Sequence, residues 1–309
     1  MLASVIVPSR GGAGRLPILL ECLAAQTHAD WEAIVVLDGD IDGSADVLAR
    51  FGAALPVRSI LFETNRGRVE ALNAGFAAAS GEVLIRCDDD LRPRPDYVGR
   101  HVAHHLGPEP VGVVGLYRNV LPETPYARVY GRTADELFRR EAYQRRDDLR
   151  WRYWAGNVST TRATYDRVGS YDRRFRRYGW EDGDWGLRLA RLGVGVVLDP
   201  ELETEHRIPA TSTRSRCVRA FHSGAARTVF EAKHPEQPRA GVAGSSPWNL
   251  MLAAGGRLWT LPRIERFAGW VDGVLGRVPT PVGRRMVGFA VESAFQAGYR
   301  RPDDATNDV

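Results

Sequence analysis

Short apolar runs alternate with amphipathic segments over the first hundred residues, and few folds accommodate this alternation. The leucines between Leu16 and Leu23 have helical spacing, which predicts that the segments between the runs are helices. Strands that are joined through such helices lie parallel in one sheet. We therefore predict an α/β fold with a mainly parallel sheet flanked by helices. The runs predicted as strands are Ser4–Val7, Ala33–Leu37, Arg58–Phe62, Glu82–Arg86 and Val111–Leu116.

From Pro122 to Trp151 the pattern becomes helical, polar and aromatic. A strand is predicted at Asn157–Thr161 and a helix at Asp182–Leu192. The Gly/Ser/Pro-rich segment Gly241–Pro247 is typical of a linker, and amphipathic helices are predicted beyond it. We expect two halves of one domain and a helical C-terminal extension, bounded as 1–117, 118–240 and 241–309.

Charge and cysteine content exclude several classes of protein. The formal net charge of +4 is spread along the chain, so nucleic acid is not an expected partner. The cysteines lie far apart without metal-ligand spacing, which favours a reducing compartment. The first predicted strand begins too early to leave room for a signal peptide, and no run approaches the roughly 20 apolar residues of a membrane span. We predict a cytoplasmic protein. The cysteines are Cys22, Cys87 and Cys217.

The segment after residue 241 mixes arginines with large apolar side chains such as Leu250, Leu258 and Trp270. This composition fits helices that pack against the main domain. It also fits amphipathic helices that lie in the interface of a membrane. Peripheral contact with the inner face of a membrane is therefore an alternative expectation for this segment.

Three consecutive aspartates, Asp88, Asp89 and Asp90, directly follow a predicted strand. Neighbouring carboxylates repel one another unless a cation lies between them, and Mg²⁺ and Mn²⁺ prefer oxygen ligands. Ligands of open α/β sheets collect at the carboxyl ends of the strands. An acidic turn can also cap a helix, here the one predicted to begin near Pro95. The motif therefore predicts a divalent cation site if other binding residues share this edge of the sheet.

Further short motifs accompany the aspartates in a fixed order along residues 3–207. They are Ser4–Arg10, Gln26–Thr27, Ile34–Gly39, Asn65–Gly75, Asp88–Asp90, Gly156–Ser159 and Trp180–Asp182. In this order they resemble glycosyltransferase family 2, whose nucleotide-sugar domain has the A-type fold. The resemblance implies a Rossmann-like sheet of the glycosyltransferase A type. It also implies that residues 1–117 bind a nucleotide sugar and that residues 118–240 carry the acceptor-binding and catalytic groups.

The resemblance assigns donor-binding and metal-binding roles. Asp38 would contact the base alone, since Leu37 replaces the first acid of the family's usual pair. Arg68 would lie near the diphosphate, Asp88 near the ribose, and Asp90 on a Mg²⁺ or Mn²⁺ ion. Asp88 and His206 would complete the metal shell, although a histidine in this place can equally be an ordinary surface residue. The donor-binding residues are Pro8, Ser9, Arg10, Asp38, Arg68, Asp88 and Asp89; the metal ligands are Asp90, Asp88 and His206.

The same resemblance assigns the acceptor side. Gly156 and Asn157 correspond to the acceptor strand, and Trp180 precedes an acidic pair. Asp182 would be the catalytic base, while Glu181 would support it or touch the acceptor. Carboxylates at a helix start can instead be N-terminal caps that interact with the helix dipole.

Together these residues imply a metal-dependent, inverting transfer of one sugar from a nucleoside-diphosphate sugar, with UDP-sugars favoured. The acceptor would be a glycan, a lipid-linked molecule or a small molecule. The alternative is a catalytically inactive sugar-nucleotide or glycan-binding module with the same fold. A processive synthase is excluded, because its Gln-x-x-Arg-Trp motif is represented only by Asp147–Trp151, which lacks the glutamine and precedes the acidic pair. A nucleotidyltransferase is disfavoured, because Gly11–Arg15 matches its phosphate loop poorly.

Overall fold

The computed structural model of the chain describes residues 1–52, 54–176, 178–241 and 246–305. It divides into two compact units. Unit 1 comprises Met1–Asn119, Arg139–Arg173 and Asp182–Arg207, and unit 2 comprises residues 120–138, 174–181 and 208 onward. In the predicted linker Gly241–Pro247, residues 242–245 lie outside the described residues. The predicted parts 1–117, 118–240 and 241–309 stay a prediction.

Unit 1 contains a seven-stranded sheet and a three-stranded sheet among the described residues. The first has the order β3-β2-β1-β4-β8-β6-β9, and the second has the order β5-β10-β7. Strands β1 to β4 run parallel, whereas β8 is antiparallel to both of its neighbours. The strands are β1 Ala3–Ser9, β2 Trp31–Asp38, β3 Val57–Phe62, β4 Val83–Cys87, β5 Leu91–Arg92, β6 Val111–Val114, β7 Tyr117–Asn119, β8 Asn157–Thr161, β9 Gly195–Leu198 and β10 Thr204–His206.

Both faces of the large sheet are buried, which explains why its strands are continuous apolar runs. On β2, Val35 belongs to a core cluster with residues of the first helix, while Val36 belongs to a cluster with Ala71 of the third helix. The predicted α/β class is confirmed by this arrangement. The helices up to the last strand are α1 Leu16–Ala24, α2 Ser44–Gly52, α3 Arg68–Ala78, α4 Tyr97–Ala103, α5 Arg132–Tyr143, α6 Arg162–Val168 and α7 Glu181–Arg191.

The observed elements differ from the predicted ones mainly at their ends. Helix α4 begins at Tyr97, two residues after Pro95, with Asp96 at its N-cap position. The run predicted as a strand to Leu116 ends at Val114. The second sheet is absent from the sequence-based prediction, since strands of two or three residues carry no detectable alternation.

Unit 2 is helical over its described residues. The long helix α8 begins with a capping box in which the Ser212 and Ser215 side chains each accept from the other residue's backbone N–H. Residues of α8, α10 and α11 share a buried cluster that includes Phe221, Ala268 and Ala294. Among the described residues, none of the helices combines the length and apolar character that crossing a bilayer requires. The helices are α8 Thr213–Lys233, α9 Pro247–Leu258, α10 Leu261–Val274 and α11 Thr280–Arg300.

Candidate active site

The three aspartates after β4 point to three different sets of partners. Asp89 is 8 % exposed and accepts hydrogen bonds from Ser9 Oγ at 2.5 Å and from Arg15, whose Nη2 lies 2.8 Å from Oδ2. Burial raises the pKa of Asp89, even though the Arg15 guanidinium acts to lower it. Asp89 therefore joins the end of β4 to the loop after β1. This placement favours a supporting role over the predicted direct contact with the donor.

Asp88 is bound to a buried arginine that precedes it in β4. The Arg86 side chain is 1 % exposed, and its Nε donates to Asp88 Oδ1 at 3.0 Å. Its Nη1 donates to Asp182 at the start of α7. Burial acts to raise the pKa of Asp88, but the charges of Arg86 and Arg68 outweigh it and hold this pKa below its usual value. One guanidinium thus joins the predicted ribose-contacting acid to the predicted base.

Gly156, which the sequence predicts to bind the acceptor, lies too close to Asp88 to carry a side chain. The Asp88 backbone N–H donates to the carbonyl oxygen of Gly156 at 2.9 Å. A Cβ atom at Gly156 would lie 2.1 Å from the Asp88 carboxylate and 2.2 Å from the Tyr117 hydroxyl oxygen. Any larger residue would therefore displace Asp88.

Asp90, a predicted metal ligand, lies beside His206. His206 Nε2 is 3.0 Å from Asp90 Oδ2, and His206 Nδ1 is 2.6 Å from Asn119 Oδ1. The Tyr117 ring stacks on the imidazole with 4.9 Å between ring centroids. When Nδ1–H donates to Asn119, the lone pair of Nε2 faces Asp90. Because metal-binding histidines commonly donate through their other nitrogen, this pair suits a divalent cation.

The third predicted metal ligand is placed differently. Asp88 faces Arg86 and accepts a 3.3 Å hydrogen bond from the Tyr117 hydroxyl. Within the described ranges, no group of three or more histidine, cysteine or acidic side chains is arranged to hold a metal ion. The residues that fit a cation are therefore Asp90 and His206. Phosphate oxygens or water would supply the other ligands that such a cation needs.

Asp38 closes the loop that leads into α3. It is 4 % exposed and accepts from the backbone N–H groups of Arg66 at 2.5 Å and Gly67 at 2.8 Å. Arg68 is the first residue of α3, so Asp38 also fixes the position from which Arg68 projects. In the loop after β1, the Arg10 carbonyl oxygen accepts from Arg15 at 2.9 Å. Pro8 and Ser9 end β1 beside this loop.

Asn157 lies inside unit 1 rather than on a surface that an acceptor could reach. Its side chain is 0 % exposed and bonds the Leu202 carbonyl at 2.9 Å, Thr204 at 3.1 Å and His101 at 3.1 Å. Burial lowers the pKa of His101 to about 3 and that of the neighbouring His105 to about 4. The predicted acceptor contact of Asn157 is therefore corrected to a structural role, because all of its amide contacts are internal.

The acidic pair begins α7 after a strained turn. Trp180 has a φ of 69°, in the left-handed region, and Gly179 before it has a φ of 98°. The Trp180 ring contacts Arg227 and Phe230 of α8 within unit 2. Glu181 is 3 % exposed, whereas the Asp182 side chain is 19 % exposed. Of the two acids, Asp182 is the more accessible to a substrate.

Arg86, Tyr117 and Arg15 are among the residues outside the predicted set that take part in this geometry. Arg86 had a visible signal, since it is a charged residue in an otherwise apolar strand, Val83–Cys87. Buried arginines are rare unless they are paired. Tyr117 and Arg15 lie in segments without a comparable signal.

Comparison with known proteins adds evidence independent of this geometry. The model of the family described as Glycosyl transferase family 2 matches residues 4–172. The chain is 29 % identical over 269 residues to a validoxylamine A glucosyltransferase of Streptomyces hygroscopicus subsp. jinggangensis. That alignment covers 76 % of this chain and 61 % of the relative, so the chain spans about three fifths of the relative's length.

Two solved structures resemble the chain as a whole. The mannosyltransferase PcManGT from Pyrobaculum calidifontis, in complex with GDP-Man and Mn²⁺, has a TM-score of 0.65 at 18 % identity, covering 97 % of this chain and 87 % of that one. S. aureus TarS 1-349 in complex with UDP-GlcNAc has a TM-score of 0.54 at 14 % identity, covering 97 % and 91 %. The likeness concerns the fold, and it confirms the predicted A-type glycosyltransferase fold.

Proposed function

Because the chain belongs to glycosyltransferase family 2, we propose that it transfers one sugar from a nucleoside-diphosphate sugar, with UDP-sugars favoured. The acceptor is a glycan, a lipid-linked molecule or a small molecule, and the anomeric centre is inverted. The observation that carries this proposal is the bonding of Arg86 to both Asp88 and Asp182. The Arg86 side chain bonds Asp88, an acid of the donor motif, and Asp182, an acid that only the transfer step requires.

The donor is held at the ends of the parallel strands. Pro8, Ser9 and Arg10 line the nucleotide, and Asp38 contacts the base with lone pairs left after its two backbone hydrogen bonds. Asp88 accepts from the ribose, and Arg68 neutralises charge on the diphosphate. Positive charge aimed at the departing group stabilises the transition state more than the ground state.

Asp90 and His206, whose facing atoms are a carboxylate oxygen and an imidazole nitrogen, would hold a divalent cation, Mg²⁺ or Mn²⁺. When bound, it supplies positive charge to the leaving diphosphate. The Mn²⁺ and GDP-Man in the similar mannosyltransferase structure support this proposal. Asn119 orients His206 by accepting from its other nitrogen.

The base is Asp182. Its carboxylate accepts a hydrogen bond from Arg86, and its side chain is 19 % exposed, so an acceptor hydroxyl can reach it. The acceptor hydroxyl gives its proton to Asp182 while its oxygen forms a bond to the anomeric carbon. The bond between that carbon and the diphosphate breaks on the opposite face, and its electron pair leaves with the diphosphate. Displacement in a single step inverts the anomeric centre.

Glu181 supports the base, and Trp180 contacts the acceptor. A binding module without turnover would need Asp90 and the nucleotide loop but would have no use for Asp182 beside Asp88. The shared guanidinium of Arg86 therefore favours the enzyme.

Unit 2 also carries a surface that suits the inner face of a membrane. Leu250, Met251 and Leu258 of α9 are 60 %, 49 % and 67 % exposed. Their spacing places them along one side of the helix. On α10, Trp270 is 57 % exposed and follows the exposed Arg263 and Arg266 at helical spacing. Apolar and cationic side chains together match an anionic lipid surface.

A donor screen tests the proposal. The full chain is incubated with UDP-glucose, UDP-N-acetylglucosamine or GDP-mannose, and nucleotide release is measured with Mn²⁺ and with a chelator. Cation-dependent release from one donor is expected, together with thermal stabilisation by that donor. Cation-dependent binding without release, over a wide set of acceptors, would support the inactive module instead. If the chain binds none of the donors and releases nucleotide from none of them, the proposal is refuted.

A further inference from the structure

The turn before the acidic pair is held in a conformation that its own residues disfavour. Trp180 is the one residue other than glycine with a positive φ among the described residues, at 69°. A bulky side chain in this region is a true outlier, which persists only when its surroundings impose it. The turn contains Gly179 as well, which adopts its φ of 98° without steric cost. The strain is therefore concentrated at the residue directly before Glu181.

Two side chains of α8 contact the Trp180 ring. The Arg227 guanidinium carbon lies 4.1 Å from the Trp180 ring centroid, and the Phe230 centroid lies 4.8 Å from that of Trp180. Arg227 is 8 % exposed, so little water screens its attraction to the ring. The same guanidinium lies 4.8 Å from the Phe230 ring centroid, so the three groups pack together.

Arg227 is itself fixed on its polar side. Its Nε donates to Glu231 Oε1 at 2.7 Å, and its Nη2 donates to the Pro238 carbonyl oxygen. Glu231 also accepts from the Tyr299 hydroxyl at 2.7 Å and the Ala240 N–H at 2.6 Å. Both oxygens of Glu231 are therefore occupied, which leaves the guanidinium few alternative positions.

We infer that Arg227 is a positioning residue for the proposed transfer reaction. By holding Trp180 in the left-handed region, it fixes the backbone conformation of the residue that directly precedes Glu181 and Asp182 in the chain. A packing role alone would need only an apolar side chain of similar length, whereas the buried charge over the ring adds a directional contact. The inference rests on the proposed function.

A double-mutant cycle tests whether Arg227 acts through the strain at Trp180. Arg227→Met is combined with Glu231→Gln so that no buried carboxylate loses its partner, and Glu231→Gln alone is the reference. In the Trp180 background, we expect nucleotide release at saturating donor to fall about tenfold while donor affinity stays within twofold. In a Trp180→Gly background, where the turn needs no restraint, the same change should lower release less than twofold. Equal losses in both backgrounds, or a loss carried by donor affinity, would overturn the inference.

Two further variants test whether a loss of release comes from misfolding: a conservative one at Arg227 and a control at another arginine of unit 2. Arg227→Lys keeps the charge but loses the planar stack, and it should show an intermediate loss of release. Arg284→Met removes another arginine of unit 2, whose contacts are with Val129 and Thr133, and should leave release unchanged. Full activity of Arg227→Lys together with Arg227→Met would overturn the inference.

Amide hydrogen exchange gives a readout that does not depend on turnover. Arg227→Met with Glu231→Gln should speed exchange in a peptide that covers residues 178–186, relative to Glu231→Gln alone. Unchanged exchange would overturn the inference that Arg227 holds Trp180, whether or not a donor is found. Faster exchange in a protein that processes no donor would support the restraint of Trp180 by Arg227 and refute the proposed function.

Discussion

The strand ends of unit 1 and the turn before α7 orient their acids by different physical means. At the strand ends, the backbone of the sheet delivers Asp38, Asp88 and Asp90 to one edge, and hydrogen bonds then orient each carboxylate. At the turn, a left-handed tryptophan is held by side chains from α8. The first arrangement is inherent in the fold, while the second depends on a few contacts.

This difference predicts how each region responds to substitution. Changes at the strand ends should act on donor and cation affinity, because those acids bind before any bond breaks. Changes at the acidic pair should act on turnover with the donor still bound. The following predictions are ordered from the largest expected effect to the smallest.

Replacement of the proposed base should have the largest effect. Asp182→Asn should lower nucleotide release about a hundredfold or more, since no carboxylate then receives the acceptor proton. The free energy of unfolding should fall by about 1–3 kcal/mol, because the buried Arg86 loses a charged partner, while donor affinity should change far less than release. Glu181→Gln should be less severe, and Asp147→Asn, at a side chain that is 85 % exposed, should have no effect. A fully active Asp182→Asn protein would refute the proposed mechanism.

Substitutions of Asp90 and Asp89 should have different effects, because Asp90 is proposed to bind the cation and Asp89 supports the loop after β1. Asp90→Asn and His206→Ala should each weaken cation-dependent donor binding by about tenfold or more. Asp89→Asn should keep the cation dependence but lower the free energy of unfolding by about 1–3 kcal/mol, since Arg15 loses a charged partner. Titration of the donor with Mn²⁺ and with chelator measures the first effect, and thermal unfolding the second. Equal donor affinity with and without Mn²⁺ would contradict the cation site.

The buried histidines of unit 1 should make its stability depend on pH. The folded-state pKa values of His101 and His105, about 3 and about 4, lie below the value of about 6.5 in an unfolded chain. Between these values the unfolded chain binds more protons, so stability falls as pH falls from about 6.5 toward the folded pKa values. Between pH 7 and pH 6 the loss should be about 1 kcal/mol for the two together. Denaturant unfolding at the two pH values measures it, and a His105→Gln variant should lose less; greater stability at pH 6 would contradict the assignment.

The sequence predicted the strand ends because apolar runs and acids lie side by side in the chain. Asp38 was correctly expected at the end of a strand, and Asp90 and His206 were expected together. The pair between Arg86 and Asp182 was not predicted, since its members are 96 residues apart and no local pattern joins them. Asn157 was given an acceptor role because its motif resembles one, but burial depends on how three other segments pack around it.

The turn at Trp180 was the least predictable feature. Left-handed geometry is expected at glycine, so a tryptophan gives no local indication of it. Its cause lies on α8, in Arg227 and Phe230. A strained residue is visible only where tertiary contacts outweigh local preference.

The smallest expected effect concerns the exposed side of α9 in unit 2, which extends the comparison to a surface without a proposed catalytic acid. If this side rests on lipid, Leu258→Ser should weaken binding to vesicles of anionic phospholipid about threefold, since only part of the side chain enters the interface. Leu106→Ser is the matched control, because Leu106 of unit 1 is 69 % exposed and Leu258 is 67 % exposed. Flotation of the full chain with anionic and with neutral vesicles measures the partition, and added salt should weaken the anionic case as arginine contacts are screened. Absence of vesicle binding, or equal losses for both variants, would contradict membrane contact through α9 and leave the donor and base proposals unaffected.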